Sequence, residues 1–357
     1  MLHDTIHTYR YSSAEIARVF DVDVYQQIIR TDAFQRLKTI HFLGSIDYII
    51  DASRRGVEER HTRFDHSLAV AALAQRYTKK ADVPENDQEN IVLAALMHDI
   101  GHAPLSHSME PAFKTIFHID HHIVGERILR GEVRLGRAVA KVLNRRGVNN
   151  FEIMSTIAGV GKEAARNLFG RQINVDTIEG ITRSATYMYR QGLLQSPIVV
   201  LDALLELGKQ SHDVLDCFWL LKQEVYSKLI QSRRGLIADL LCQRYVKINA
   251  DDFESSYYYG TERELRADHR GLFEALKRLG QLDLVEPAFI ADGEDVDFTR
   301  RTFVIDSSVA LKAPSDIDRR YLQKKRIVKT QLRKRGGELT HGTIENTGSQ
   351  GVLWADY

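Results

Sequence analysis

The run Leu93-Ala-Ala-Leu-Met-His-Asp-Ile-Gly-His102 constrains this chain more than any other stretch. Its spacing predicts a helix over 87–99, rich in Ala and Leu, and a helix that is apolar on every side belongs inside a bundle. The small side chains permit close approach of neighbouring helices. That helix ends in His98 and Asp99, turns at Gly101, and is followed by His102, Pro104, His107 and Glu110. A chain has little structural reason to gather imidazoles and carboxylates at the end of a buried helix. Binding a metal ion and a phosphate is a chemical reason to do so.

The remaining patterns are mostly helical as well. There are only six prolines in 357 residues, and apolar positions recur at helix-like spacing. Residues 14–20 are amphipathic, with Ser12-Ser13 as an N-cap, and 24–43 read as two helices interrupted at Thr31-Asp32 and ended by Gly44. Residues 46–50 read as a short strand or extended piece, and 51–61 as a polar loop. Thr62 caps a helix over 63–79 that carries His66 in its first turns. Helical pattern continues through 120–129, 135–144, 153–158, 160–174, a start near Asp176, 201–207, 212–221, 223–233, 236–244 and 272–279. The texture then changes. Residues 288–297 are acidic, 302–305 are short and β-prone, 319–335 carry nine basic residues in seventeen, and 336–357 read as a loop-rich tail. The fold class expected is all-α, a helical bundle with a helical C-terminal extension carrying a little β structure. The expected division is 1–195 and 196–357.

Bulk properties exclude rather than identify. A hydrophobic fraction of 43 % and a charged fraction of 27 % are ordinary for a globular chain. No apolar run is long enough to cross a bilayer, and the N-terminus lacks a signal pattern, so a cytoplasmic location without a membrane partner is expected. Cys217 and Cys242 fit reduced thiols better than a disulfide framework. Net charge is +1, but histidine is unevenly spread: eight of the fourteen lie between His61 and His122.

Four residues stand out together: His66, the adjacent His98-Asp99, and Asp176. Imidazole nitrogens and carboxylate oxygens suit a divalent first-row metal. Adjacent residues on a helix point about 100° apart, so a His-Asp pair holds one ion only if other helices close in from the remaining sides. His66 and Asp176, on separate predicted helices, can do that and leave room for water and a substrate oxygen.

The segments Thr62-Arg-Phe-Asp-His66-Ser-Leu-Ala-Val70, Leu96-Met-His98-Asp99-Ile-Gly-His102-Ala-Pro-Leu-Ser-His107 and Ile173-Asn-Val-Asp176 resemble the H…HD…D pattern of the HD-domain metal-dependent phosphohydrolases. Within that superfamily they look most like the deoxynucleoside triphosphate triphosphohydrolase branch, which includes the bacterial dGTP triphosphohydrolases and the SAM-and-HD-domain protein. Asp4-Thr-Ile-His7 and Thr31-Asp-Ala-Phe-Gln-Arg36-Leu-Lys-Thr-Ile-His-Phe-Leu-Gly44 are similar to that branch's opening segments, so the resemblance covers roughly residues 3–190. It implies that 1–195 is an HD phosphohydrolase domain. It also implies that His66, His98, Asp99 and Asp176 bind a divalent ion (Mn, Fe, Zn, Ni or Mg). His107 with Glu110 is similar to the branch's His-acid pair, which assists phosphoester cleavage by proton transfer. His122 falls where the branch has a further active-site histidine, with His121 as its neighbour and Ile123 where a Glu usually follows. Arg63 and His102 would face the phosphates.

The departures bear on the substrate. The branch has a Lys for the phosphate chain and a Tyr and Asp for the sugar after its metal-binding Asp; here those positions are Thr177, Gly180 and Ser184. The Gln that touches the sugar is Phe42, and a later Tyr is Ile230. The resemblance therefore implies a phosphohydrolase acting on a nucleotide or related phosphoester with altered sugar and triphosphate recognition, in a homo-oligomer. Alternatives from other classes are a nuclease or phosphodiesterase using the basic run 319–335 on nucleic acid, and a nucleotide-sensing protein with a residual metal site.

Overall fold

The computed structural model describes residues 13–53, 61–189, 194–282, 294–335 and 338–343. The Asp4–His7 segment, the Ser12 cap, the loop residues 54–60, the acidic residues 288–293 and the tail residues 344–357 lie outside them. Helices dominate. The first part of the chain forms α1 (Ser13–Phe20), α2 (Asp23–Ile29), α3 (Asp32–Gln35), α4 (Ser45–Ser53), α5 (Arg63–Lys80) and α6 (Glu85–Met97). After the histidine-rich turn come α7 (Glu110–Phe117), α8 (His121–Arg130), α9 (Arg137–Arg146), α10 (Asn150–Ile157), α11 (Glu163–Phe169) and α12 (Val175–Ala185). The C-terminal part adds α13 (Pro197–Leu205), α14 (Lys209–Val225), α15 (Arg233–Ile248), α16 (Glu262–Asp268), α17 (Arg270–Leu282) and the short α18 (Asp316–Arg320). A three-stranded antiparallel sheet of order β1-β2-β3 completes it: β1 (Glu294–Ile305), β2 (Tyr321–Arg335) and β3 (Glu338–Thr343). The class is all-α with a little β structure, as the sequence predicts. Among the described residues, no helix is long and apolar enough to cross a membrane.

Helices α5 and α6 form the centre. Thr62 starts α5: its Oγ1 accepts from the Asp65 N–H and donates to the Asp65 carboxylate, a cap that stabilises a helix by about 1 kcal/mol. Apart from Asp65, Arg76 and the last two lysines, all of α5 is buried, and α6 is buried throughout its second half, Ile91 to Met97. Their Ala-rich faces pack side by side, with α1, α12 and α13 against α5 and α10 against α6. One continuous apolar cluster runs from Ile16 through both halves of the chain to Tyr321.

Two local expectations change. Residues 46–50 are not extended but lie in α4. Asp47 accepts from the Leu43 N–H at 2.8 Å in the turn that begins this helix, and α4 is held between α15 and α17. The basic run 319–335 is only briefly helical and then becomes β2. Its register with β1 runs from Ile305↔Tyr321 to Glu294↔Leu332, and Phe303 and Tyr321 both pack on Trp219 of α14. The free edge of β1 is partly satisfied by side chains: Phe303 N–H donates to Gln223, Arg301 N–H to Gln231, and Trp219 Nε1–H donates to Val304 O.

One close approach positions the histidine-rich turn. A Cβ on Gly101 would lie 2.0 Å from His121 O and 2.5 Å from Gly125 N, so only glycine lets the first turn of α8 rest on the loop that follows α6. Gly101→Ala is therefore expected to destabilise the chain by about 1–3 kcal/mol through overpacking. Urea unfolding checks this, and an unchanged midpoint would show that α8 is not held against the loop.

Candidate metal centre

Three elements bring four side chains together: His66, His98 and Asp176 form a group whose donor atoms lie within 4.8 Å of one another, with Asp99 beside it. His66 lies in the first turn of α5, His98 and Asp99 follow the last residue of α6, and Asp176 lies in the first turn of α12. The Nε2 atoms of His66 and His98 are 3.1 Å apart. Asp176 Oδ1 stands 3.0 Å from His66 Nε2 and 3.7 Å from His98 Nε2. Asp99 brings Oδ2 to 3.6 Å from His66 Nε2 and Oδ1 to 3.5 Å from His98 Nε2. Ligands bonded at about 2.1 Å in an octahedral shell stand about 3 Å from their neighbours, so the spacing of these nitrogens and oxygens fits a small divalent cation. The donor set of two imidazoles and two carboxylates fits one as well.

The outward ring nitrogens are occupied, which aims the others inward. His98 Nδ1 is 2.8 Å from Ala95 O, so Nδ1 donates there and Nε2 is the nitrogen turned to the centre. His66 Nδ1 meets the carboxylate of Glu179, one helical turn beyond Asp176 on α12. Glu179 is in turn held by the guanidinium of Arg183, whose Nη1 donates to His61 Nδ1 at 3.2 Å. This is the outer-shell arrangement that fixes a ligating imidazole. Asp99 is supported from its other side by Arg63 Nη1 at 2.7 Å and by His102 Nε2 at 3.1 Å.

The carboxylates give the centre a negative character that also draws protons onto its imidazoles. Burial opposes charge on both imidazoles, but Glu179 and Asp176 raise His66 above the ordinary histidine range, and Asp99 and Asp176 raise His98 to about 9. Burial likewise opposes ionisation of Asp99, yet Arg63, His98 and His102 hold its carboxyl well below the usual range. The carboxylates are thus ionised and supply the negative charge that a cation would meet.

Beside this centre lies a second cluster. His102, His107, Glu110 and His121 each bring a donor atom within 4.8 Å of the others. Glu110 is its hub: His121 Nδ1 is 2.6 Å from Oε2, Tyr258 Oη donates to the same oxygen at 3.0 Å, and His107 Nδ1 is 4.0 Å from Oε1. His102 stacks on His121 with centroids 4.4 Å apart and planes 8° from parallel. His102 is buried, while His107 keeps 62 % of its side chain exposed and so faces the solvent side. His122 is exposed and meets the cluster through the ring of His121, at 3.9 Å. Of the adjacent pair, it is His121 that the fold brings to Glu110. Asp120 caps α8 by accepting from Ile123 N–H, and this sets which histidine turns inward.

Arg63 turns inward too. It is 5 % exposed and donates to Asp99, to Ser106 Oγ at 3.0 Å and to Phe42 O at 3.1 Å. The positions that depart from the resembled branch are used within the fold. Thr177 closes a capping box with Asn174 at the start of α12, and Ser184 Oγ donates to Gly180 O at 2.7 Å. Phe42 lies on His66 with ring centroids 4.7 Å apart, and a Cβ on Gly180 would come within 3.3 Å of its Cζ. Ile230 is partly buried against the core. Sequence reasoning passed over Lys222 of α14, which is 4 % exposed and lies 4.6 Å from the Trp219 ring centroid. Its ammonium donates to Gln172 O at 3.4 Å, and burial, against the pull of Asp176, lowers it to about 7. Glu179 had a sequence signal, an acid three residues after Asp176 on the same helical face. Lys222 and Tyr258 had none, because distant segments bring them in.

The HD domain family model matches residues 63–147, which span α5 to the turn after α9. The uncharacterized protein YwfO of Bacillus subtilis is 31 % identical over 165 residues, covering 45 % of this chain and 35 % of that protein. A deoxynucleoside triphosphate triphosphohydrolase SAMHD1 homolog of Dictyostelium discoideum is 24 % identical over 284 residues, covering 69 % of this chain and 53 % of that protein. The chain thus spans about half or less of the length of these relatives. A crystal structure of a hypothetical protein from Aquifex aeolicus superposes with a TM-score of 0.56 at 17 % identity, over 86 % of this chain and 92 % of that one, a likeness of fold. The matched segment carries the His98-Asp99 pair and His66 of the metal centre: residues 63–147 match the HD domain, and the chain is similar to proteins of the deoxynucleoside triphosphate triphosphohydrolase type.

Proposed function

We propose that the chain is a metal-dependent phosphohydrolase that cleaves a phosphoester of a nucleotide or a related compound. The observation that carries this reading is the convergence of His66, His98, Asp99 and Asp176, the first three of them fixed from behind by Glu179, Ala95 O and Arg63. A divalent ion bound there would supply Lewis-acid polarisation of a phosphoryl oxygen and acidify a water. The chain's own groups do the rest. Glu179 and Ala95 O hold the Nδ1 side of each imidazole, which aims the Nε2 atoms of His66 and His98 at the centre, where a bound cation would displace the protons that the neighbouring carboxylates favour. Arg63 holds Asp99 in place and offsets its charge, the role that its three inward hydrogen bonds favour. His107 and His121, both served by Glu110, are placed to move a proton to or from the leaving oxygen.

Recognition is proposed to differ from that of the relatives. Phe42 presents an apolar ring where a sugar hydroxyl would need a partner, and Gly180, Thr177 and Ser184 offer no free polar group to replace it. A site without those hydrogen bonds forfeits the discrimination they supply. Lys222 is the cation that compensates at the phosphate. It is buried, has a single long hydrogen bond among the described residues, and interacts with Asp176. A phosphate oxygen would add a charged partner to the Gln172 carbonyl and the Trp219 and Phe303 rings that it already faces.

A second reading, a nuclease or phosphodiesterase acting on nucleic acid, is favoured by one feature of the sheet. The β1–β2 register sets Arg300 opposite Arg326 and Arg301 opposite Lys325. Like charges directly across a ladder destabilise it, and Arg300, Lys324, Lys325, Arg326 and Lys329 are all exposed. A polyanion would relieve that repulsion.

Three measurements test these statements. The metal-loaded chain, assayed against the four dNTPs and a broad panel of phosphoesters, is expected to hydrolyse a panel compound faster than any dNTP; brisk release of triphosphate from a dNTP would sink the altered-recognition reading. Asp99→Ala should lose both the bound metal, read by elemental analysis, and the activity; turnover persisting without metal would refute the centre. Lys222→Met should raise the unfolding midpoint, since it removes a buried cation, while raising KM by about tenfold or more, the loss of one charge-assisted hydrogen bond. A stabilised variant with unchanged KM would remove Lys222 from the substrate site. For the second reading, single-stranded DNA affinity should fall steeply between about 50 and 200 mM salt, and insensitivity to salt would count against it.

A further inference from the structure

The turn that carries the catalytic cluster has an unusual backbone. Leu105 and Ser106, neither of them glycine, both have positive φ, 59° and 48°. Two consecutive left-handed residues with side chains are costly and persist only where surrounding groups over-determine them. The groups that do so here come from the far end of the chain. Glu262 is 4 % exposed, and its Oε1 accepts from Leu105 N–H at 3.1 Å and from His41 N–H at 2.8 Å. Its Oε2 receives the Tyr48 hydroxyl and lies 2.6 Å from His41 Nδ1. Burial favours the neutral acid, yet His41 and Tyr48 hold Glu262 below its ordinary value, so it accepts as a carboxylate. Four residues earlier, Tyr258 Oη donates to Glu110. Between them, Arg36 donates to Gly260 O at 3.0 Å with one arm and to Ile100 O at 3.0 Å with the other.

We propose that the segment 258–262 is a latch that positions the loop 100–110, with Glu262 holding the left-handed turn at Leu105 and Tyr258 orienting Glu110. The consequence reaches the metal centre through a short chain of contacts. Ser106 Oγ donates to His41 O at 2.7 Å and accepts from Arg63 Nε, and Arg63 holds Asp99. His107 follows directly on the strained pair. Neither Glu262 nor Tyr258 is placed to touch substrate; each acts through another residue, so both are positioning residues. The segment lies more than a hundred residues beyond the matched HD domain, so the catalytic loop takes its shape from sequence that the HD pattern does not contain.

The inference rests on the phosphohydrolase reading for its kinetic arm only. The test uses the full chain with Glu262→Ala, Glu262→Gln and Tyr258→Phe. Hydrogen exchange followed by mass spectrometry reads the loop without any activity. In Glu262→Ala the peptide containing Leu105 is expected to exchange about tenfold faster or more, while α5 and α6 keep wild-type protection. Glu262→Gln, which retains an acceptor oxygen for the two N–H groups, should recover most of that protection. On the phosphoester that the wild type hydrolyses fastest, Glu262→Ala should lower kcat by about tenfold or more with KM changed by less than about threefold, as misplacement of catalytic groups does. Tyr258→Phe keeps the packing and removes one hydroxyl; it should lower kcat severalfold with metal content unchanged. Unchanged exchange at Leu105 in Glu262→Ala, or loosening spread equally over α5 and α6, overturns the latch, and an unaltered kcat in Tyr258→Phe overturns the part given to Tyr258. If the wild type hydrolyses nothing in the panel, the phosphohydrolase reading fails while the exchange comparison still decides the latch.

Discussion

Everything in this molecule depends on keeping Asp99 ionised inside a protein core. The carboxylate lies 5 % exposed at the end of a buried helix, where an unpaired charge would be prohibitive. Arg63 at 2.7 Å and His102 at 3.1 Å make it tolerable from one side, and the imidazoles of His66 and His98 face it from the other. Each of those partners needs its own anchor, so the requirement spreads outward. Arg63 is tied to Ser106 and Phe42, and His66 to Glu179, Arg183 and His61. The polar network is nearly closed on itself, and this makes a fixed geometry out of side chains that would otherwise be mobile.

That closure also explains a division of labour between the two halves of the chain. The Ala-rich pair α5 and α6, with α12, brings the ligating groups together because small side chains let the helices approach. Among the described residues, the C-terminal helices bring no side chain into the group of His66, His98 and Asp176. They add Tyr258 behind Glu110, Glu262 behind Leu105, Asp239 behind Ser45 and Ser108, and Lys222 beside Asp176. His107 and Glu110 are thereby mounted on a loop whose backbone is held from outside the HD segment, a common way of giving a loop the precision of a rigid element.

The altered wall of the site follows from the same economy of space. Gly180 leaves room for Phe42 to lie against His66, and a side chain at 180 would bring a Cβ to 3.3 Å from that ring, which would have to shift to admit it. An apolar ring in that place shields the His66 side of the centre and lowers the local dielectric, which strengthens the charge interactions around Asp99.

The sequence by itself determined the helical class and the central pair of helices with the Thr62 cap, and it singled out His66, His98, Asp99 and Asp176, which the fold brings near one another. These rest on short-range regularities: a 3.6-residue apolar period, a side-chain cap three residues before its target, and a His-Asp pair ending an Ala-rich run. Residues 46–50, apolar except for Asp47, fit a strand or a helix equally by pattern, and only packing between α15 and α17 selects the helix. The basic run 319–335 was similarly open until Phe303 and Tyr321 docked on Trp219 and fixed a strand register. His121 against His122, the inward turn of Arg63, and the arrival of Lys222, Tyr258 and Glu262 were decided by the tertiary structure alone. Each depends on contacts between segments tens to hundreds of residues apart, and side-chain direction across such a distance is set by how whole helices pack, which no local pattern encodes.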